Sequence, residues 1–395
     1  MATDNENKIL NVPNLRFPGF GGEWEKYKVS DVLDFYSTNS LSWEQLDYDN
    51  EDLYNLHYGL IHVGLPILVD IKQNKLPGIK TDCKPKNFEL CKEGDVAFAD
   101  ASEDTNDVAK AIEFINLNNQ KAVCGLHTIH GRDNKGLTVP GYKGYTFASP
   151  LFHNQIRKIA QGTKIYSISS KNFAECYIGI PSKNEQTKIA KLLALIDTRI
   201  STQIKIIEDL KKLKSAISKC IFQDVLKQTE IVQLGDIANI YQPQTIPTSA
   251  LNDNYPYAVY GANGMIGKYL EYNHETSQIC VTCRGNTCGA INYTTPKSWI
   301  TGNAMVINTD AYNVNKRFIY HQLCSVNFNP LISGSGQPQI VRSPLEKMKI
   351  WCPVADTQQK IANILDKLEV KVSVESTIKD RFLEQKRHLL SQMFI

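Results

Sequence analysis

One stretch of this chain occurs twice, and that repetition limits the architectures open to it before any local feature does. Pro181, Gln186, Lys188, Ile189, Ala190, Leu193, Lys214 and Phe222 recur 172 positions later as Pro353, Gln358, Lys360, Ile361, Ala362, Leu365, Lys386 and Phe394. Upstream at the same offset, Gly162 meets Gly334, Ile168 meets Ile340, and Ile178 meets Ile350. The block openings match at a second offset of 205, where Val29, Asp31 and Val32 correspond to Leu234, Asp236 and Ile237. The difference between offsets makes the first block longer by internal insertions. Between matching ends the two interiors share almost nothing. A common frame with divergent filling suits two recognition units of different specificity, although plain duplicated domains that drifted apart leave the same trace.

A chain of 395 residues fits two or three domains. With 42% hydrophobic and 22% charged residues it has a globular composition. No apolar run reaches the ~18–20 residues that span a bilayer, and the polar opening "MATDNENKIL" is not a signal peptide. Ten cysteines without an export signal point to free thiols in a cytoplasmic protein. The net charge of +3 says little, but its distribution is uneven. Residues 31–55 hold seven acidic and no basic side chains. Residues 121–172 hold eight basic side chains against Asp133 alone, and residues 276–350 hold seven against two. Basic stretches interleaved with aromatics fit a surface that tracks phosphates, and equally a solvated basic face.

Across 181–222, Ile189, Leu193, Ile196, Ile200, Ile207, Leu210 and Ile217 recur at three- and four-residue spacing, with Gln203 and Lys214 interrupting. No Gly or Pro falls between Pro181 and Phe222, which predicts an unbroken helix of about 60 Å. Pro181 suits its entry. The second copy repeats the seam through Ile361, Leu365, Leu368, Val372, Phe382 and Leu389, with Glu375 and Lys379 at seam positions. Two stripes of equal length predict helices packed on each other as a coiled coil. Periodicity leaves the direction open, as well as the competing arrangement in which each helix folds onto its own block.

Both blocks read as mixed α/β. "GDVAFAD" (94–100), "YTFASPLF" (145–152) and "KIYSIS" (164–169) predict strands in the first, and "QICVTC" (278–283), "GAINYT" (289–294) and "AMVINT" (304–309) in the second. Turn-rich links at 131–144, 284–289 and 333–339 separate them. Gly-rich loops offering Arg, Lys, Asn or Gln match the hydrogen-bonding edges of guanine and adenine. The candidate DNA contacts are Arg132, Lys135, Tyr142 and Lys143 in the first block, and Arg284, Asn286, Tyr293 and Gln337 in the second. Each is also an ordinary loop residue in composition.

Catalytic machinery is not apparent. "GANGMIGKY" (261–269) lacks phosphate-loop spacing, with Tyr269 where a hydroxyl ligand to magnesium belongs. Asn329-Pro330-Leu331-Ile332 lacks the second proline and aromatic of an adenine methyltransferase. Cys280, Cys283 and Cys288 have no second ligand pair at finger spacing, and a strand sends Cys280 and Cys283 to opposite faces, so no metal is expected. The chain reads as a binder, not an enzyme.

The opening "PNLRFPGFGGEWEKYKVSDV" (13–32), the pair "PSKNEQTKIAKLLALIDTRI" (181–200) and "PVADTQQKIANILDKLEV" (353–370), and "YGANGMIGKY" (260–269) carry a resemblance. Over both blocks and both helices the chain resembles the specificity subunit of type I restriction-modification enzymes. The resemblance implies an α+β fold: two mixed α/β target-recognition domains at 1–180 and 225–352, alternating with helical spacers at 181–224 and 353–395. These spacers would pack as a coiled coil with a pseudo-two-fold internal repeat. It further implies that each domain reads half of a bipartite DNA site, with the helical pair setting the gap. Two methyltransferase subunits would bring S-adenosylmethionine, and restriction/translocase subunits would bring ATP and magnesium; no cofactor is expected on this chain. The polar second spacer at Glu375 and Lys379 departs from a regular coil. A coiled-coil scaffold with protein-binding heads is the alternative, separable by whether DNA affinity falls steeply with salt.

Overall fold

The computed structural model describes residues 11–223, 229–262, 264–334 and 336–395. The polar opening, residues 224–228 at the expected domain junction, Asn263 and Ser335 lie outside them. The chain divides into two compact units, Met1–Thr202 with Ile378–Ile395, and Gln203–Thr377. No helix among the described residues is long and apolar enough to cross a membrane.

In the first unit, a five-stranded sheet has the order Asp34–Tyr36, Thr128–Arg132, Val96–Ala99, Ala111–Asn116, Leu68–Asp70. A four-stranded sheet has the order Ala122–Cys124, Tyr54–Leu56, Gly78–Ile79, Leu46–Asp47. Alternate side chains of a strand face opposite ways, so Val96 and Phe98 enter one core and Ala97 and Ala99 another. All four are buried because both faces are covered. The expected strand at 145–152 is instead helical, with helices Tyr142–Phe147 and Pro150–Ile159 on either side of Ser149. Ser149 caps the second by accepting from Phe152 N–H at 3.3 Å, and Pro150 occupies its first turn. Tyr142–Phe147 is buried on every side. It lacks the polar face that would give helical periodicity, and its aromatic content alone suggested a strand.

The second unit has a four-stranded sheet in the order Asn239–Tyr241, Ala304–Asn308, Ile279–Thr282, Ile291–Tyr293. A three-stranded sheet joins Gly264–Tyr269, Tyr257–Gly261 and Trp299–Ile300. Cys280 and Cys283 enter separate cores, as strand alternation requires.

The repeat is visible in pairings. In the first unit Glu25–Lys28 runs antiparallel to Tyr177–Ile180, with Tyr27 opposite Ile178. In the second, Ile231–Gln233 runs antiparallel to Lys349–Trp351, with Val232 opposite Ile350. These are the positions related by the two sequence offsets, so each block begins and ends on one short ribbon. The next hydrogen bond repeats as well: Val29 N–H donates to Cys176 O at 2.8 Å, and Leu234 N–H to Met348 O at 2.9 Å. Gln186 donates to Pro181 O at 2.9 Å, and Gln358 to Pro353 O at 2.7 Å. The repeated Pro and Gln thus close the same entry to each long helix.

Those helices are Lys183–Gln223 and Ala355–Gln392. Pro181 stands just outside the first, where Glu185 N–H donates to Ser182 Oγ at 3.4 Å. In the first unit, Ile189, Leu193, Ile196 and Ile200 share a core with Leu389, Leu390, Met393 and Phe394, and Phe382 packs against it. Lys386 pairs with Asp197 there at 2.5 Å. In the second unit, Ile361 and Leu365 are buried with Ile217 and Leu368 packed beside them. Lys214 pairs with Glu369 at 2.9 Å, and Gln203 donates to the Glu375 backbone carbonyl at 3.1 Å and to its carboxylate. Advancing along one helix means retreating along the other, so the pairing within each unit is antiparallel. Ile207 is buried, and Leu210 and Val372 are half-buried. Gln203 and Glu375 break the apolar seam as a mutually satisfied buried pair, which meets the requirement that buried polar groups be bonded. Lys379 pairs with its neighbour Asp380 at 3.1 Å.

Phe394 lies against Tyr142, ring centroids 5.8 Å apart, in the first unit, and Phe222 against Phe318 at 5.8 Å in the second. Each long helix therefore starts in the unit of its own block and ends in the core of the other unit, which rules out helices folded only onto their own blocks. Leu193 and Leu365 are fully buried. Truncating either to alanine is expected to cost about 2–5 kcal/mol. Urea unfolding followed by circular dichroism measures this, and an unchanged midpoint for Leu365→Ala would mean that its stripe is not held.

Candidate nucleic-acid interface

In the second unit two loops meet. Arg284, which follows the strand Ile279–Thr282, forms an isolated bridge with Gln339, and Gly285 N–H donates to Pro338 O at 3.0 Å. Ser333 bridges Gln339 in turn. Gly334 has φ +92°, and a Cβ there would fall 2.6 Å from Gln337 O, so the loop closes only with glycine. This brings Arg284, Asn286 and Gln337 to the surface of one loop cluster, all exposed. Of the seven basic residues in 276–350, Lys297, Lys316, Arg317 and Arg342 are held in ion pairs. Arg284, Lys347 and Lys349 are exposed, and no carboxylate among the described residues pairs with them. An unpaired guanidinium beside exposed amides offers a two-donor fork for a phosphate or a guanine edge.

Tyr293 belongs to a different environment. It is half-buried, its ring lies 5.2 Å from Tyr320, and the Arg317 guanidinium stacks 4.4 Å from it. Arg317 pairs with Asp366 at 2.6 Å, and His321 Nε2 shares the same carboxylate oxygen at 2.6 Å. Burial alone would raise the Asp366 carboxyl, but its bonds to Arg317 and His321 outweigh that and hold it below the ordinary value. Burial pushes His321 down, favouring the neutral ring. Tyr293 is thus tied into the junction between the sheet and the second long helix.

Three candidates in the first unit are corrected by their surroundings. Arg132 is buried, with its guanidinium bonded to both oxygens of Asp95, to Glu89 at 2.6 Å and to Leu90 O at 2.7 Å. The bond to Asp95 is the main reason its pKa is raised. Lys143 is buried and pairs at 3.2 Å with Glu113, whose carboxylate also accepts from Gly141 and Gly144 N–H. Burial raises Glu113 even so. Tyr142 is fully buried, donating its hydroxyl to Gly179 O at 2.7 Å. All three are engaged by internal partners, and Arg132 and Lys143 reach only the floor of a cleft shared with Asp133 and Asn134. Their partners Asp95 and Glu113 lie at and within strands with no motif to mark them, so the sequence showed unpaired basic residues where the fold has internal ion pairs. Lys135 alone stays exposed, its ammonium donating to Asp31 O at 2.7 Å.

Residues 227–382 match the family model described as the type I restriction modification DNA specificity domain. A putative type I restriction enzyme specificity subunit of Haemophilus influenzae is 29% identical over 153 residues, 37% of this chain and 39% of that one. The EcoprrI specificity subunit of Escherichia coli is 27% identical over 140 residues, 34% of this chain and 35% of that one. The matched stretch thus spans well under half the length of these curated relatives. The crystal structure of a type I restriction-modification S subunit from M. genitalium shares the fold at TM-score 0.63, with 17% identity over 97% of this chain and 99% of that one.

The internal role of Arg132 gives a direct test. Arg132→Leu strips the buried Asp95 carboxylate of its two-bonded guanidinium partner and is expected to cost about 3–5 kcal/mol. Urea unfolding of the variant measures this. A surface DNA contact would instead lose affinity at unchanged stability.

Proposed function

We propose that the chain is a specificity subunit of a type I restriction-modification system and the DNA-reading component of such a complex. The match of residues 227–382 to a DNA specificity domain carries the proposal. Each block reads one half of a bipartite, asymmetric site, and the long helices set the unspecified gap between the halves. The two blocks share a frame but differ in filling, which is what two different half-sites require. Phosphate contacts position the protein while base edges specify the sequence. Arg284, Asn286 and Gln337 are the base-reading candidates of the second block, and Lys135 remains the candidate of the first.

In this reading the chain supplies address and spacing, and the chemistry lies on its partners. Two methyltransferase subunits bring S-adenosylmethionine and methylate adenine, and restriction/translocase subunits bring ATP and magnesium for cleavage. The buried stripe is used in pairing the long helices, while Leu195, Ile204 and Leu213 on one and Ile364, Val370 and Val374 on the other stay exposed among charged residues, a surface suited to seating such partners.

Exchanging residues 20–180 for the corresponding block of another family member is expected to change one half-site and leave the other unaltered. Methylome sequencing of cells carrying the whole system reads both halves at once, and a change in both would refute modular reading. Four residues added within 195–215, matched by four in the facing helix, lengthen the pair by about 6 Å. With base-pair steps of ~3.4 Å, the gap is expected to grow by about one or two base pairs. A functional variant with the original gap would refute the spacing role.

A further inference from the structure

Where the two sheets of the first unit meet, three ligand-bearing side chains converge that DNA reading does not use. Cys91 N–H donates to Ala122 O at 2.8 Å, and Leu90 bridges Val123, so Cys91 runs beside the strand Ala122–Cys124. This puts the Cys91 and Cys124 sulfurs 3.6 Å apart, both buried. His130 comes from the other sheet, on the strand Thr128–Arg132, and is 0% exposed. One of its ring nitrogens and the two sulfurs all lie within 4.8 Å of one another. Its Nε2 is bonded to Asp95 Oδ2 at 2.7 Å, and its Nδ1 is buried without a partner among the described residues.

A buried ring nitrogen with no partner among the described residues is costly, so it calls for an explanation such as a bound ion. The geometry points to a metal centre. We propose that Cys91, Cys124 and His130 Nδ1 bind a zinc ion that ties the two sheets of this unit together. Thiolate and imidazole are the donors zinc favours. Tetrahedral zinc with ~2.3 Å bonds to sulfur holds two sulfurs about 3.8 Å apart, close to the spacing here. Imidazole that ligates through one nitrogen characteristically gives its other N–H to a carboxylate, the position of Asp95. Arg132 in turn fixes that carboxylate from the far side.

The charges balance on binding. Both thiols lose their protons to solvent, zinc takes their place, Nδ1 gives its lone pair, and Nε2–H stays with Asp95. Two thiolates and Asp95 then face zinc and Arg132, leaving no net charge in the buried cluster. A water supplies the fourth ligand. The other group of close ligands, His321, Asp366 and Glu369, differs because Arg317 and Lys214 already neutralise its carboxylates.

The test uses the full chain without an affinity tag of histidines, purified in reductant and without chelator. Stoichiometric zinc by elemental analysis is expected, with sulfur in its first shell by X-ray absorption. Cobalt exchanged into the site should give a thiolate-to-metal charge-transfer band. Cys91→Ser/Cys124→Ser should lose the metal and the band, whereas Cys220→Ser, at an exposed position, should keep both. Asp95→Asn should weaken metal affinity roughly 10- to 100-fold. Wild-type protein that takes up neither zinc nor cobalt overturns the proposal, as does a first shell without sulfur, and both readings hold even where a variant fails to fold. A metal retained by the double serine variant overturns it as well.

Discussion

A helix of about forty residues with an apolar stripe along its length is not stable alone in water, because helical stability in proteins comes mainly from burying such a face. Both long helices of this chain meet that condition by pairing antiparallel within each unit. The pairing also recruits each block, since Phe222 and Phe394 at the helix ends are core residues and not exposed tips. Removing a helix would therefore take part of the adjoining hydrophobic core with it. The polar break at Gln203 and Glu375 fits the same scheme. Two residues that spoil the periodicity on separate strands of sequence satisfy each other when the helices are antiparallel.

The charge pattern of the blocks has a different physical meaning from its first appearance. Basic stretches in sequence fitted a phosphate-tracking surface and equally a solvated basic face. In the fold, Arg132 and Lys143 are consumed by internal pairing, which lets an Arg or Lys enter an apolar interior at acceptable cost. Most of the other basic residues of these stretches are exposed, with Arg284 among them. Local surplus charge is therefore a poor guide to surface charge where acidic partners lie far off in sequence, as Asp95 does from Arg132.

The parts of the architecture legible from sequence were those written as periodicity or repetition. The stripe through Ile189 and Leu193 and its copy through Ile361 and Leu365 announced the long helices, and β-branched and aromatic content between turn-rich links announced Val96–Ala99 and Ile279–Thr282. Tyr142–Phe147 escaped because a helix with no solvent face has no periodic signature. The convergence of Cys91, Cys124 and His130 escaped for another reason. The spacing along the chain is set by sheet crossovers, so no short motif joins the three.

The ribbon that opens and closes each block has a consequence for how such chains can grow. With Tyr27 across from Ile178, and Val232 across from Ile350, the polypeptide enters and leaves each block at adjacent points. Whatever length intervenes, the helix that follows starts from the same anchorage. Additions and deletions in the interior are thereby insulated from the rest of the chain, and the first block's surplus over the second is absorbed without disturbing its exit. Such a closed doorway lets interiors differ in length and sequence, while the jambs Ile178 and Ile350 stay held in a packed core.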